Sequence, residues 1–145
     1  MRILLAVDDS PHSRRAVEFA AQMRWPAGSR ILVVSVMPPP LAPLAALDAP
    51  TAAEPLRIHE EDRLQHQELI TRAQDRLRSV GFAVEGRLLE GDPREQILEL
   101  IEREAVSLLI LGSHGRTGIA RLLLGSVSSH AVAHSPCSVL VVKAA

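Results

Sequence analysis

The chain has one cysteine, one lysine and no asparagine in 145 residues. A lone cysteine, Cys137, cannot close an intramolecular disulfide, which excludes a cross-linked secreted scaffold and fits a reduced, cytoplasmic compartment. Its neighbours Ser138–Val142 have the character of a buried strand, so a core thiol is expected. A net charge of −1 excludes the electrostatic footprint of a protein for nucleic acid or an anionic membrane. No apolar stretch approaches the ~20 residues that cross a bilayer. The first such stretch, Ile3–Val7, is cut short by Asp8 and Asp9 with no small-residue cleavage site after it. It reads as a strand, not a leader.

Several catalytic and binding motifs are also missing. G-x-x-x-x-G-K-[ST] does not occur, and the one lysine, Lys143, lies outside the glycine loop, which excludes a P-loop NTPase. Gly112, Gly115 and Gly118 are spaced by three after a late strand, unlike the G-x-G-x-x-G of a dinucleotide domain. His130 and His134 share a helix face without the acidic residue of H-E-x-x-H and read as a packed or half-exposed pair. No serine or cysteine sits in a nucleophile-elbow context.

What is present is a regular alternation of strand and helix. Hydrophobic residues make up 47% of the chain, and at this length one domain, residues 1–145, can bury about two-thirds of its unfolded surface. Continuous apolar runs mark strands at Arg2–Asp8 and Arg30–Val36, and further strands are read at Phe82–Leu89, Val106–Leu111 and Cys137–Lys143. Between them, Ser10-Pro11 opens a helix to about Trp25, and a helical pattern spans Leu56–Val80 and ends on Gly81. Asp92-Pro93-Arg94-Glu95 is a capping box, and Ser126–His134 forms a short last helix before Pro136. Such alternation without a hairpin signal predicts an α/β fold: a single open five-stranded parallel sheet, helices on both faces. Ligands of such sheets bind beyond the carboxyl ends of the strands, where strand order reverses. One stretch, 37–55, is rich in proline and alanine, and reads as a surface excursion or a lid on that rim.

The candidate site lies on the same rim. Gly112-Ser113-His114-Gly115 follows the fourth strand, and Gly125-Ser126 opens the last helix. Bare backbone amides and a helix N-terminus together make a phosphate cradle. Ser126, Ser128 and Ser113 can add hydroxyl donors, and Arg116 and Arg121 can pair with terminal phosphates. His114 reads as a solvated loop residue, with a phosphate contact as the lesser alternative. Asp8 suits either a ribose hydroxyl or a Mg2+ ion that bridges phosphates. Val36 and Met37 offer an apolar wall and backbone groups for a base, whereas Asp9 and Ser10 read as helix-capping residues.

The spacing Gly112-x2-Gly115-x9-Gly125-Ser126, with Val7-Asp8-Asp9-Ser10 after the first strand and Ser138–Lys143 at the end, resembles the universal stress protein family. The likeness covers nearly the whole chain and follows the ATP-binding branch. It implies a Rossmann-like, adenine nucleotide alpha hydrolase-like fold with strand order 3-2-1-4-5 and adenine near Val36. It further implies ribose at Asp8, and phosphates on Gly112, Gly115, Gly125, Ser126 and the Val127 backbone. With the flanking strand ends, the candidate set is Ala6, Val7, Asp8, Val36, Leu111, Gly112, Ser113, His114, Gly115, Arg116, Gly125, Ser126, Val127 and Ser128. A homodimer joined along Ser138–Lys143 is also implied. The expected function is ATP or other adenine-nucleotide binding in a stress-response regulator. The alternatives are a slow ATP-hydrolysing or nucleotidyl-transferring enzyme and a structural stress dimer that binds no nucleotide. The regulator is favoured because no general base or phosphate-polarising lysine accompanies the cradle.

Overall fold

A computed structural model describes residues 1–39, 53–115 and 124–144, with side chains of the second segment from 57 onward. Five strands alternate with four helices: β1 (Arg2–Ala6), α1 (Pro11–Gln22), β2 (Arg30–Met37), α2 (Ala53–Arg78), β3 (Ala83–Glu90), α3 (Pro93–Arg103), β4 (Leu108–Gly112), α4 (Ser126–His134) and β5 (Ser138–Val142). All paired strands are parallel, and the order is β3-β2-β1-β4-β5, as the family likeness implied. The proline-rich stretch lies mostly outside the described residues, so its lid reading has no structural counterpart here.

The strands alternate between two cores. Ile3, Leu5, Ile31, Val33 and Ile110 pack against α1 and α2 through Ala16, Ala20, Ile70 and Leu77. Leu4, Leu32, Val34, Leu109 and Leu111 face the other way, onto Ile97, Leu100 and Ile101 of α3 and Ala131 of α4. Both faces are covered, which is why these strands read as unbroken apolar runs. The alanines of α1 let that helix sit close to the sheet. An ion pair from Arg76 to Glu18 (2.8 Å) ties α2 to α1, and that hydrogen bond holds Glu18 below the usual carboxylate range.

Element ends differ from expectation for local reasons. Strand β1 stops at Ala6, although the Val7 N–H still donates to Val34 O at 2.8 Å. Helix α1 stops at Gln22 rather than Trp25, because the Trp25 side chain folds back and its indole N–H donates to Ala20 O at 2.9 Å. Val106 closes α3 by donating to Ile101 O, so β4 begins only at Leu108. Cys137 is half-buried just before β5, with its thiol donating to Ser138 O at 3.4 Å; it is not a core thiol.

Candidate functional site

Strands β1 and β4 are direct neighbours, with Ile3 opposite Leu108 and Leu5 opposite Ile110. The chain leaves β1 into α1, on one face of the sheet, and leaves β4 toward α4, on the opposite face. The two connections diverge and leave a crevice beyond the strand ends. A cavity of about 530 Å³ occupies it.

Asp8 is held at one wall by the start of α1. Its N–H donates to Ser13 Oγ (2.9 Å), and its Oδ1 accepts from the Ser10 N–H (2.9 Å). Ser10 in turn caps α1 by accepting from the Ser13 N–H at 3.0 Å. Asp9 points outward, 3.5 Å from Arg14, in keeping with its reading as part of the turn. The second Asp8 oxygen, Oδ2, lies 2.9 Å from where a Cβ on Gly115 would stand. The opening strand and the glycine loop therefore touch.

The loop is closed by its own hydrogen bonds. Gly125 N–H donates to Ser113 O at 2.8 Å, and the Ser113 N–H donates to Val142 O at 2.8 Å. A Cβ on Gly125 would meet the His114 Cα at 3.2 Å and Ser113 O at 3.3 Å, so the two glycine segments abut. Gly125 is the N-cap of α4 and brings no side-chain cap. The first-turn N–H groups of Ser126, Val127 and Ser128 thus have no intrahelical partner at the positive end of the helix.

Two of the three hydroxyls expected at an anion are used elsewhere. Ser128 is buried and donates to Ser113 O (2.8 Å) and Gly125 O (3.0 Å), which fastens the loop to α4. Ser113 is fully buried behind the loop, 3.0 Å from His12 Nδ1 and 3.1 Å from His114 Nδ1. Ser126 stays exposed at the cavity edge. His114 is not a solvated loop residue: its ring packs 5.1 Å from that of His12, and its Nε2 is buried with no hydrogen-bond partner among the described residues. Arg116 and Arg121 lie outside the described residues.

Of the sequence-derived set, Ala6, Val7, Asp8, Val36, Leu111, Gly112, His114, Gly115, Gly125, Ser126, Val127 and Ser128 all line this one cavity. Residues 1–143 match the sequence profile of the universal stress protein family. The chain belongs to that family. A universal stress protein from Thermus aquaticus is 35% identical over 147 residues, covering 97% of this chain and 97% of its own. Among solved structures, a universal stress protein family protein from Arabidopsis thaliana with AMP bound matches with a TM-score of 0.72 at 20% identity. That match covers 100% of this chain and 92% of the other. The universal stress protein from Archaeoglobus fulgidus in complex with dAMP gives 0.72 at 23% identity, over 99% and 98% of the two chains. At these identities the two structures speak for the fold.

In this universal stress protein the cavity also has walls that sequence reasoning missed. Val34, Pro38 and Ile97 add apolar surface next to Val36, and Ser13, Pro93 and Leu124 complete the rim. His66 of α2 lines it as well, buried to 7% exposure. Ser35 Oγ donates to Val7 O at 2.8 Å and also stands 2.8 Å from His66 Nδ1, which ties α2 to the end of β1 through β2. Nothing in the spacing of α2 distinguishes His66 from its polar neighbours. Only the packing of α2 on β2 brings it to the site.

Proposed function

We propose that this chain is an adenine-nucleotide-binding regulator of the stress response, with ATP as the principal ligand, acting in the cytoplasm as a homodimer. The observation that carries the reading is the contact of Asp8 with Gly115 beside an α4 N-terminus that no side chain caps. The residues present fit a nucleotide. A side chain at Gly115 or Gly125 would fill the cradle, the free amides and helix dipole favour phosphate, and Val34, Val36, Pro38 and Ile97 suit a flat base. The AMP and dAMP held by the two relatives support the same ligand class. Asp8 keeps one oxygen beyond its bond to Ser10, which suits a ribose hydroxyl. Mg2+ would then be carried by the phosphates.

The dimer reading rests on the sheet edges. Strand β3 is protected by Glu85, Arg87 and Glu90, whereas β5 (Ser-Val-Leu-Val-Val) has no charge and leaves Val139, Leu140 and Val141 half-buried. An uncharged apolar edge strand needs a partner. Among the described residues no helix is long and apolar enough to cross a membrane.

The deciding experiment is calorimetric titration of ATP, AMP and adenosine into wild-type and Asp8→Ala protein. Asp8→Ala is expected to weaken all three, because all three carry the ribose. Weakening of Mg-ATP alone would move Asp8 to a metal role, and no binding by the wild type would remove the nucleotide reading.

A further inference from the structure

The peptide that precedes Asp8 is gripped by side chains from two other elements, and one of them lies behind the site. Strand β1 ends at Ala6, so the peptide joining Val7 to Asp8 lies beyond the strand pairing. Side chains replace strand partners there. The Val7 carbonyl accepts from Ser35 Oγ at 2.8 Å, and the Asp8 N–H donates to Ser13 Oγ at 2.9 Å. One hydroxyl comes from β2 and the other from α1, so both polar ends of a single peptide plane are fixed. Helix α2 adds a third hold, with His66 Nδ1 2.8 Å from Ser35 Oγ. Ser13 and Ser35 are 3% and 1% exposed, which keeps water from competing for these bonds.

The grip decides where the carboxylate goes. With its peptide fixed and Oδ1 held by the Ser10 N–H, Asp8 turns Oδ2 toward Gly115 across the cavity. The base wall at the end of β2, Asp8 after β1 and the glycine loop after β4 follow one another in sheet order, so Asp8 falls between base and phosphate, where a sugar lies. Ser13 and His66 line the cavity, whereas Ser35 does not. A change at Ser35 therefore reaches a bound molecule only through the Val7–Asp8 peptide or through His66. We propose that Ser35 is a positioning residue for nucleotide binding: with Ser13 it holds Asp8 at the sugar, and so sets the preference for a ribose that carries its hydroxyls. The inference rests on the nucleotide reading above.

The test is calorimetry of the full chain, wild type and Ser35→Ala, with ATP and with 2′,3′-dideoxy-ATP, which keeps base and phosphates and lacks both ribose hydroxyls. Wild type is expected to prefer ATP. Ser35→Ala should lose about fivefold in affinity for ATP and less than about twofold for the dideoxy compound, because the lost bond acts through Asp8. A displaced His66 would instead cost both nucleotides alike. Ser35→Cys, which keeps the bulk and a weak donor, should fall between the two proteins, and it carries the comparison if a thermal melt shows Ser35→Ala unfolded. Equal losses for the two nucleotides, unchanged ATP affinity in the variants, or a wild type that binds both equally would overturn the positioning role and leave the nucleotide reading intact. Failure of the wild type to bind either would overturn both.

Discussion

The Asp8 carboxylate reaches the Gly115 backbone across the crevice: Oδ2 stands 2.9 Å from the place a Cβ on Gly115 would occupy. Gly115 is exposed and has no positive φ, so a larger residue there meets the site rather than the core. Gly115→Val should cost AMP and ATP at least about tenfold in affinity, ~1.4 kcal/mol, with little change in melting temperature. Calorimetry and a thermal melt on the same preparation check this, and equal affinities would remove the cradle.

Gly112 answers to a different constraint. A Cβ there would lie 2.8 Å from the His12 carbonyl carbon and 2.8 Å from Ser13 N, both backbone atoms at the start of α1. Neither can give way without moving the helix. Gly112→Ala should therefore destabilise the fold by about 1–3 kcal/mol, read from the urea midpoint, with weaker nucleotide binding as a consequence. A midpoint unchanged from wild type would show that α1 shifts freely.

Leu140 lies at the centre of the uncharged edge strand β5 and is half-buried in the single chain. The proposed homodimer through β5 predicts that Leu140→Glu is a monomer in light scattering where the wild type is a dimer, with the helical circular dichroism signal kept. If the variant still scatters as a dimer, the contact between subunits lies elsewhere.

Asp92 caps α3 and titrates unusually low, at about 2 against an ordinary 3.8, chiefly because the Arg94 side chain bonds its carboxylate and secondarily because the Arg94 N–H does. A depressed carboxyl stabilises the fold in its charged form. The contribution is complete above about pH 4 and is lost as pH falls toward 2. Arg94→Ala should bring the Asp92 midpoint, followed by NMR, back toward the usual value, and a midpoint that stays near 2 would assign the shift to the backbone bond instead.

The element sequence was legible because strand and helix signals are local. Ser10-Pro11 and Asp92-Pro93 cap their helices as expected, and Gly81 follows α2 with φ of +94°. The walls of the cavity were legible where backbone makes them, at Gly115, Gly125 and the first turn of α4. They were misread where side chains choose among partners: Ser128 and Ser113 turn to the loop's own atoms, and His114 packs on His12. Sequence spacing carries no information on which of several nearby acceptors a hydroxyl will select. The same limit hid His12 and His66, single histidines on helices whose importance depends on what lies opposite.

By itself, the amino-acid order determined the alternating elements, the buried character of the strands and the bare-backbone loop, since each follows from contacts within a few residues. The place of β1 beside β4 was already implied by the family likeness, but only the folded sheet decided the meeting of Asp8 with Gly115 and of His12 with Ser113. Those encounters join segments about a hundred residues apart, and they follow from strand order, which is set by long-range pairing and packing on both faces rather than by any local pattern.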